Sequence, residues 1–247
     1  MKTTKFIIFF AVAAIVGCSE KDNNVINTNN SNTYDPVVWV DLGLPSGLLW
    51  AECNLGATVP EEYGDYYAWG ETTPKSEYTW DTYQYGNASD QLTKYCFYAE
   101  YGLDGYIDNL NQLEPYDDVA TVRLGGGAHM PSLDDWKELR NNTTITRTTV
   151  NGVYGDQYTA ENGNTLFMPA AGYIDGSLLS RDSSDGFYWS RTIYRWMPSN
   201  AYLCNFTSDF YNWSADRARI YGLSVRAVCS PNQQKVQDFQ NMKTNSD

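Results

Sequence analysis

The stretch FTSDFYNWSADRARIYGLSVRAVC, Phe206 to Cys229, sets five aromatic and five charged residues among twenty-four positions. A packed sheet and a ligand-facing surface draw on the same aromatic letters, so their spacing has to separate the two. A half-buried strand alternates strictly, yet here Phe210 stands beside Tyr211 and the period breaks from Ser214 to Asp216. The stretch therefore divides. Phe206, Leu223 and Val225 are expected in the core, with GLSVRAVC as a closing framework strand, while Asp209, Phe210, Tyr211, Trp213, Asp216, Arg219 and Tyr221 are expected to be exposed.

Upstream, the β signal continues. TTITRTTV from Thr143 is β-branched, NTLFMPAAGYIDGS is a strand followed by Pro and Gly turns, and GFYWSRTIY and NAYLCNF are further short strands. The clearest helix follows Ser132, where Ser132 and Asp135 form a capping-box pattern and Leu133, Trp136 and Leu139 recur at spacing three. Between Val59 and Gly86 the chain is dense in Tyr and Trp without helical period, which predicts ordered loop held by its aromatic side chains. Few helices, early, and many short strands, late, give an α+β or mostly β class with an irregular loop region.

At 247 residues and 42% apolar composition the chain suffices for one large domain with a core that needs no staple. Residues 1–17 stand apart. Lys2 and Lys5 precede the twelve-residue apolar run FIIFFAVAAIVG, too short to span a bilayer comfortably and matching a secretion signal. The run ends in IVGC, which resembles the lipobox of bacterial lipoproteins; that resemblance implies lipid attachment at Cys18. Residues 18–36 are polar and Asn-rich, a flexible tether whose polar part reaches roughly 23 Å as a coil. SEKD directly after Cys18 resembles the signal that sends some Bacteroidetes lipoproteins to the outer face of the outer membrane. The domain proper is expected over residues 37–229, with a polar tail at 230–247.

Removal of residues 1–17 leaves fifteen basic and thirty acidic side chains, a net charge near −15. Phosphate backbones are repelled by such a surface, so nucleic acid is not an expected partner. His129 is the single histidine, which excludes His-rich metal sites and any triad not built on it; at a helix entrance a structural role is expected. LDGYIDNLNQLEPYDD has oxygen ligands but lacks the alternate spacing of an EF-hand loop. Asp104 with Glu114, or Asp117 with Asp118, are the available glycosidase-type pairs, and solvated loop carboxylates are the competing reading. No cofactor or metal is expected. Cys53, Cys96, Cys204 and Cys229 permit disulfides in an exported chain; Cys204 with Cys229 and Cys53 with Cys96 is one arrangement, buried thiols the other.

Five ordered blocks, VDLGLPSGLLWAECNLGATVPEEYGDYYAWGETTPK, LGGGAHMPSLDDWKEL, GNTLFMPAAGYIDGS, GFYWS and GLSVRAVC, together resemble the Fibrobacter succinogenes major paralogous domain family found in Bacteroidetes lipoproteins. The resemblance covers about residues 37–229 and implies a C-type-lectin-like fold related to the formylglycine-generating enzymes: short helices, small antiparallel sheets and an extensive irregular loop region. The close Cys pair that holds copper in those enzymes is absent, as Cys204 and Cys229 lie twenty-five positions apart. The Glu-Pro-Asn and Trp-Asn-Asp signatures of calcium-dependent lectins are absent too; the chain has EPY and NWSAD instead. Some C-type-lectin-like proteins are diversified by retroelements at a ligand-facing surface near the C-terminus. By that analogy the block between YWS and SVR, mixing Tyr, Trp, Phe, Ser, Asp and Arg, has the composition of a binding surface. The expected function is a non-enzymatic, lipid-anchored, cell-surface protein that binds a protein or carbohydrate ligand through Tyr194, Arg195, Trp196, Asp209, Phe210, Tyr211, Trp213, Asp216, Arg219 and Tyr221. A divergent formylglycine-generating-type enzyme and a structural subunit of a surface assembly are the alternatives.

Overall fold

An Asn-Gly pair sets the longest hairpin among the described residues. In this computed structural model Asn151 and Gly152 both take positive φ, +48° and +86°, the backbone of a tight two-residue turn whose twist matches the strands it joins. The described residues are 35, 37–125, 127–207 and 210–231, with the side chain of Trp213 set aside. The signal segment 1–17, Cys18, most of the tether, Asp209 and all but the first two residues of the C-terminal tail lie outside them.

In chain order the regular elements are β1 (Trp39–Asp41), β2 (Leu49–Ala51), α1 (Val119–Leu124), α2 (Leu133–Asn141), β3 (Thr143–Val150), β4 (Val153–Ala160), β5 (Thr165–Pro169), β6 (Tyr173–Asp175), β7 (Leu178–Ser180), β8 (Gly186–Ile193), β9 (Asn200–Phe206), β10 (Tyr211–Ala218) and β11 (Val228–Cys229). The strands form four small antiparallel sheets, ordered β1-β2-β11, β10-β9-β8, β3-β4-β5 and β6-β7. The class is α+β and dominated by sheet.

Helix α2 forms where its cap predicts. Ser132 Oγ accepts from the Asp135 N–H at 3.2 Å, and the Asp135 carboxylate accepts from the Ser132 N–H at 2.7 Å. Trp136 and Leu139 are buried and Leu133 half-buried, so the stripe at spacing three faces the core. Helix α1 is an element that periodicity misses because six residues are too few to show one. Its start is written in Asp118, whose carboxylate accepts from the Ala120 and Thr121 N–H groups, and its stop in Gly125 at φ +60°.

Strands β8 and β9 are buried on both faces of their sheet, with β10 at its more exposed edge. Phe187, Trp189, Ala201 and Leu203 face one apolar cluster with Trp69, Tyr95, Leu223 and Val225. Tyr188, Cys204 and Phe206 face a second with Trp50, Trp136, Leu139 and Tyr158. Such strands lose the clean apolar–polar alternation of a one-sided sheet. Phe206, Leu223 and Val225 are fully buried, as expected. The closing segment is less regular than a strand: Leu223 and Ser224 make single bridges to Tyr67 and Tyr188, and only Val228–Cys229 joins a sheet.

The aromatic loop is packed as expected. Tyr78, Tyr83 and Tyr85 form their own buried cluster, with Tyr83 edge-on to Tyr85 and Tyr85 edge-on to Tyr95. Crossed indole bonds tie it to the central sheet: Trp69 donates to the Ser190 carbonyl and Trp189 to the Tyr67 carbonyl, each at 2.8 Å. His129 makes a single bridge to Val228, and its Nδ1 lies 2.9 Å from the Met130 carbonyl. None of Cys53, Cys96, Cys204 and Cys229 forms a disulfide. Cys204 sits in the second apolar cluster, where burial pushes its thiol pKa well up.

Candidate ligand-facing surface

The β9–β10 turn presents its aromatic residues to solvent. Phe206 is fully buried, whereas Phe210 is 54% and Tyr211 37% exposed. Thr207 N–H bonds the Phe210 carbonyl, and Phe210 lies just outside the β9–β10 ladder, which begins at Tyr211 opposite Phe206.

Beneath Tyr211 lies an ion pair. Arg147 and Asp156 stand directly opposite in the β3–β4 hairpin, with Nη1 3.2 Å from Oδ1. Tyr211 hydrogen-bonds the same carboxylate. Asp156 is fully buried, and that burial pushes its pKa up to about 6, against the pull of Arg147 and the Tyr211 hydroxyl. Arg147 also donates to the Ser184 carbonyl at 2.5 Å and lies over the Phe206 ring, 5.6 Å from its centre. Two residues along β4, on the face of Asp156, Tyr154 is 54% exposed. Tyr211 at this charge pair, Phe210 next to it in the chain and Tyr154 on the Asp156 face of β4 are three exposed aromatics that make up a candidate rim. Tyr154, Arg147 and Asp156 escaped sequence reasoning, although a signal was present: Arg147 and Asp156 are equidistant from the Asn151–Gly152 turn, so a two-residue hairpin places them face to face.

The other expected residues do not join this rim. Tyr194, Arg195 and Trp196 occupy the β8–β9 turn, at the opposite end of β9 and on the order of 20 Å away along the strand. There Trp196 is 71% exposed, Arg195 lies over the Phe97 ring at 5.8 Å, and Tyr194 meets Tyr202 edge-on at 5.1 Å. Asp216 faces Tyr202 across the ladder and accepts a 2.7 Å hydrogen bond from Asn200, so it belongs to this second end. One expected surface is thus two.

Arg219 corrects the sequence reading most directly. Expected exposed, it is fully buried. The chain turns inward after β10, Arg219 N–H bonds the Ser199 carbonyl, and Nη1 donates to the Lys94 carbonyl at 3.0 Å. Its guanidinium lies 5.5 Å from the rings of Trp69 and Tyr83, and burial lowers its pKa. Tyr221 is half-buried, edge-on to Tyr173, rather than exposed. Asp209 and the Trp213 side chain lie outside the described residues.

The acidic loop also departs from expectation. Asp117 and Asp118 are buried rather than solvated. Asp117 accepts from Tyr85 at 2.5 Å, from Lys94 at 2.6 Å and from Tyr95, while Asp118 caps α1 and accepts from the Met130 N–H. Every donor comes from a group that packs the fold, which leaves neither carboxylate open for acid–base work. Glu114 pairs with Lys94 at 2.6 Å, and Asp104 sits in an exposed turn. Among the described residues no three His, Cys, Asp or Glu side chains gather as metal ligands. A cavity of ≈ 440 Å³ opens beside Cys53, Leu55 and Arg123, and none of the rim residues lines it.

No family model matches this chain, and no curated protein or solved structure matches it. The functional reading therefore rests on its own residues.

Proposed function

We propose that this chain is a cell-surface lipoprotein, anchored through Cys18, whose domain binds a protein or glycan ligand with the rim of Tyr154, Phe210 and Tyr211. The observation carrying this reading is the contrast within one hairpin between buried Phe206 and exposed Phe210 and Tyr211. Exposed aromatics offer large contact area at low entropic cost, and the buried Asp156 carboxylate, paired with Arg147, holds Tyr211 in place. The resemblance to the Fibrobacter succinogenes major paralogous domains supports a C-type-lectin-like fold with a diversified surface from Tyr194 to Tyr221. It supports a binding role and not an enzymatic one.

The mature chain, probed against a glycan array and a panel of purified surface proteins, is expected to retain a ligand that Phe210→Ala and Tyr154→Ala each weaken about tenfold. A ligand held equally by both variants, with the fold intact, overturns the reading. Metabolic labelling with a fatty acid is expected to mark the wild type and not Cys18→Ser.

A further inference from the structure

On the face of the central sheet turned away from Tyr211, the Arg217 guanidinium sits among three rings. Its guanidinium carbon is 4.1 Å from the centre of Tyr173, 5.0 Å from Phe187 and 5.1 Å from Tyr221. The rings brace one another edge to face, Tyr173 with Phe187 at 5.0 Å and with Tyr221 at 5.7 Å. Stacking of this kind holds the guanidinium plane but leaves its N–H edge unspent. Arg123, Arg147 and Arg181 each pair with a carboxylate, and Arg226 is saturated with carbonyl and amide oxygens. Half-buried Arg217 has no such partner among the described residues.

A second group shares this face. Ile174 and Gly222 exchange backbone hydrogen bonds at 2.8 and 3.0 Å, an antiparallel register that sets Asp175 opposite Tyr221. Tyr173 and Asp175, two apart on β6, point the same way. Asp175 is exposed, and after burial its charge is the next cause of the raised Tyr221 pKa. Among the described residues neither the Asp175 carboxylate nor the two phenol hydroxyls are hydrogen-bonded. One patch thus presents a planar cation, a carboxylate and two phenols whose polar atoms have no hydrogen-bond partner among the described residues.

We propose that Arg217, Asp175, Tyr173 and Tyr221 form a binding site for a carboxylated sugar, a uronic acid unit. The guanidinium edge takes the carboxylate through two parallel N–H bonds, and Asp175 accepts from neighbouring sugar hydroxyls. A peptide carboxylate would use Arg217 alone and meet Asp175 as a repelling charge, whereas a uronate uses both. The net charge near −15 of the mature chain also weakens the hold on any simple anion that makes no further contacts. This site is independent of the Phe210–Tyr211 rim, from which it is separated by the sheet itself.

Titration calorimetry and NMR of the intact mature chain with methyl glucuronide, methyl glucoside, acetate and N-acetylglutamate amide test the proposal. Methyl glucuronide is expected to bind with a Kd of about 1 mM and shift the Tyr173 and Tyr221 ring signals, the other three at least about tenfold more weakly. Asp175→Asn, at an exposed position, and Arg217→Gln are each expected to weaken glucuronide binding about tenfold, and the melting temperature of Asp175→Asn stays at the wild-type value. Equal binding of the neutral glucoside overturns carboxylate recognition. Equal binding of acetate or the glutamate amide overturns the sugar. Unchanged affinity in the folded Asp175→Asn variant, or no glucuronide binding, overturns the site.

Discussion

The Arg226 guanidinium holds the Asn54 side-chain oxygen with two nitrogens, Nε at 3.0 Å and Nη2 at 2.8 Å, across 172 positions of sequence. The same guanidinium donates to the carbonyls of Ala51, Glu52 and Phe167. A fully buried cation is held here by five hydrogen bonds to four neutral acceptors, and burial lowers its pKa. Arg226 thereby ties the closing segment to the end of β2 and to β5.

Removing that rivet strands several buried acceptors at once. Arg226→Met, of similar length, is expected to cost about 3 kcal/mol or more in urea unfolding, and Asn54→Ala about 1–3 kcal/mol. A cost for Arg226→Met below that of Asn54→Ala would show that the carbonyls find other donors.

Four positions of one hairpin separate core from surface. Phe206→Ala is expected to lose about 3–5 kcal/mol, because the ring packs between Tyr188 and Arg147. Phe210→Ala, at 54% exposure, should stay within about 0.5 kcal/mol of wild type. Thermal melts of the two variants side by side make the comparison.

Asp156 couples the rim to pH. Its folded pKa of about 6 lies above the value near 3.9 of an unfolded Asp, so between those values the folded chain binds the extra proton. The contribution of Asp156 to stability therefore falls as pH rises from about 4 to about 6, by on the order of 2–3 kcal/mol. Asp156→Asn removes this slope. The difference in unfolding free energy between wild type and Asp156→Asn, measured at both pH values, reads it directly, free of the other carboxylates.

Gly186 begins β8 under the Phe206 ring, and a Cβ there would lie 2.1 Å from a ring carbon. Gly186→Ala is expected to destabilise by about 1–3 kcal/mol or more through forced movement of that ring. Pairing it with Phe206→Leu should relieve part of the cost, seen as non-additivity in a double-mutant cycle.

Much of the fold is legible locally. The Ser132–Asp135 cap, the Trp136–Leu139 stripe, the β-branched run from Thr143 and the broken period at Phe210–Tyr211 each rest on interactions within a few residues, and each lies where its spacing places it. The charge balance and the Arg147–Asp156 register belong to the same class, since a two-residue turn dictates which residues face each other.

Tertiary structure decided the rest. Arg219 carries a charge and Tyr211 only a hydroxyl, yet it is Arg219 that Trp69 and Tyr83, more than a hundred positions upstream, cover, while Tyr211 stays partly exposed. Asp117 and Asp118 look like solvated loop acids until Tyr85, Tyr95 and Met130 fold over them. An extended strand separates Trp196 from Phe210 by its own length, so neighbours in sequence become opposite ends of a sheet, while Arg217 and Asp175 come to one face through a register that no local pattern records. Composition and spacing determined which side chains are able to pack or bind; the long-range pairing of strands determined which of them meet.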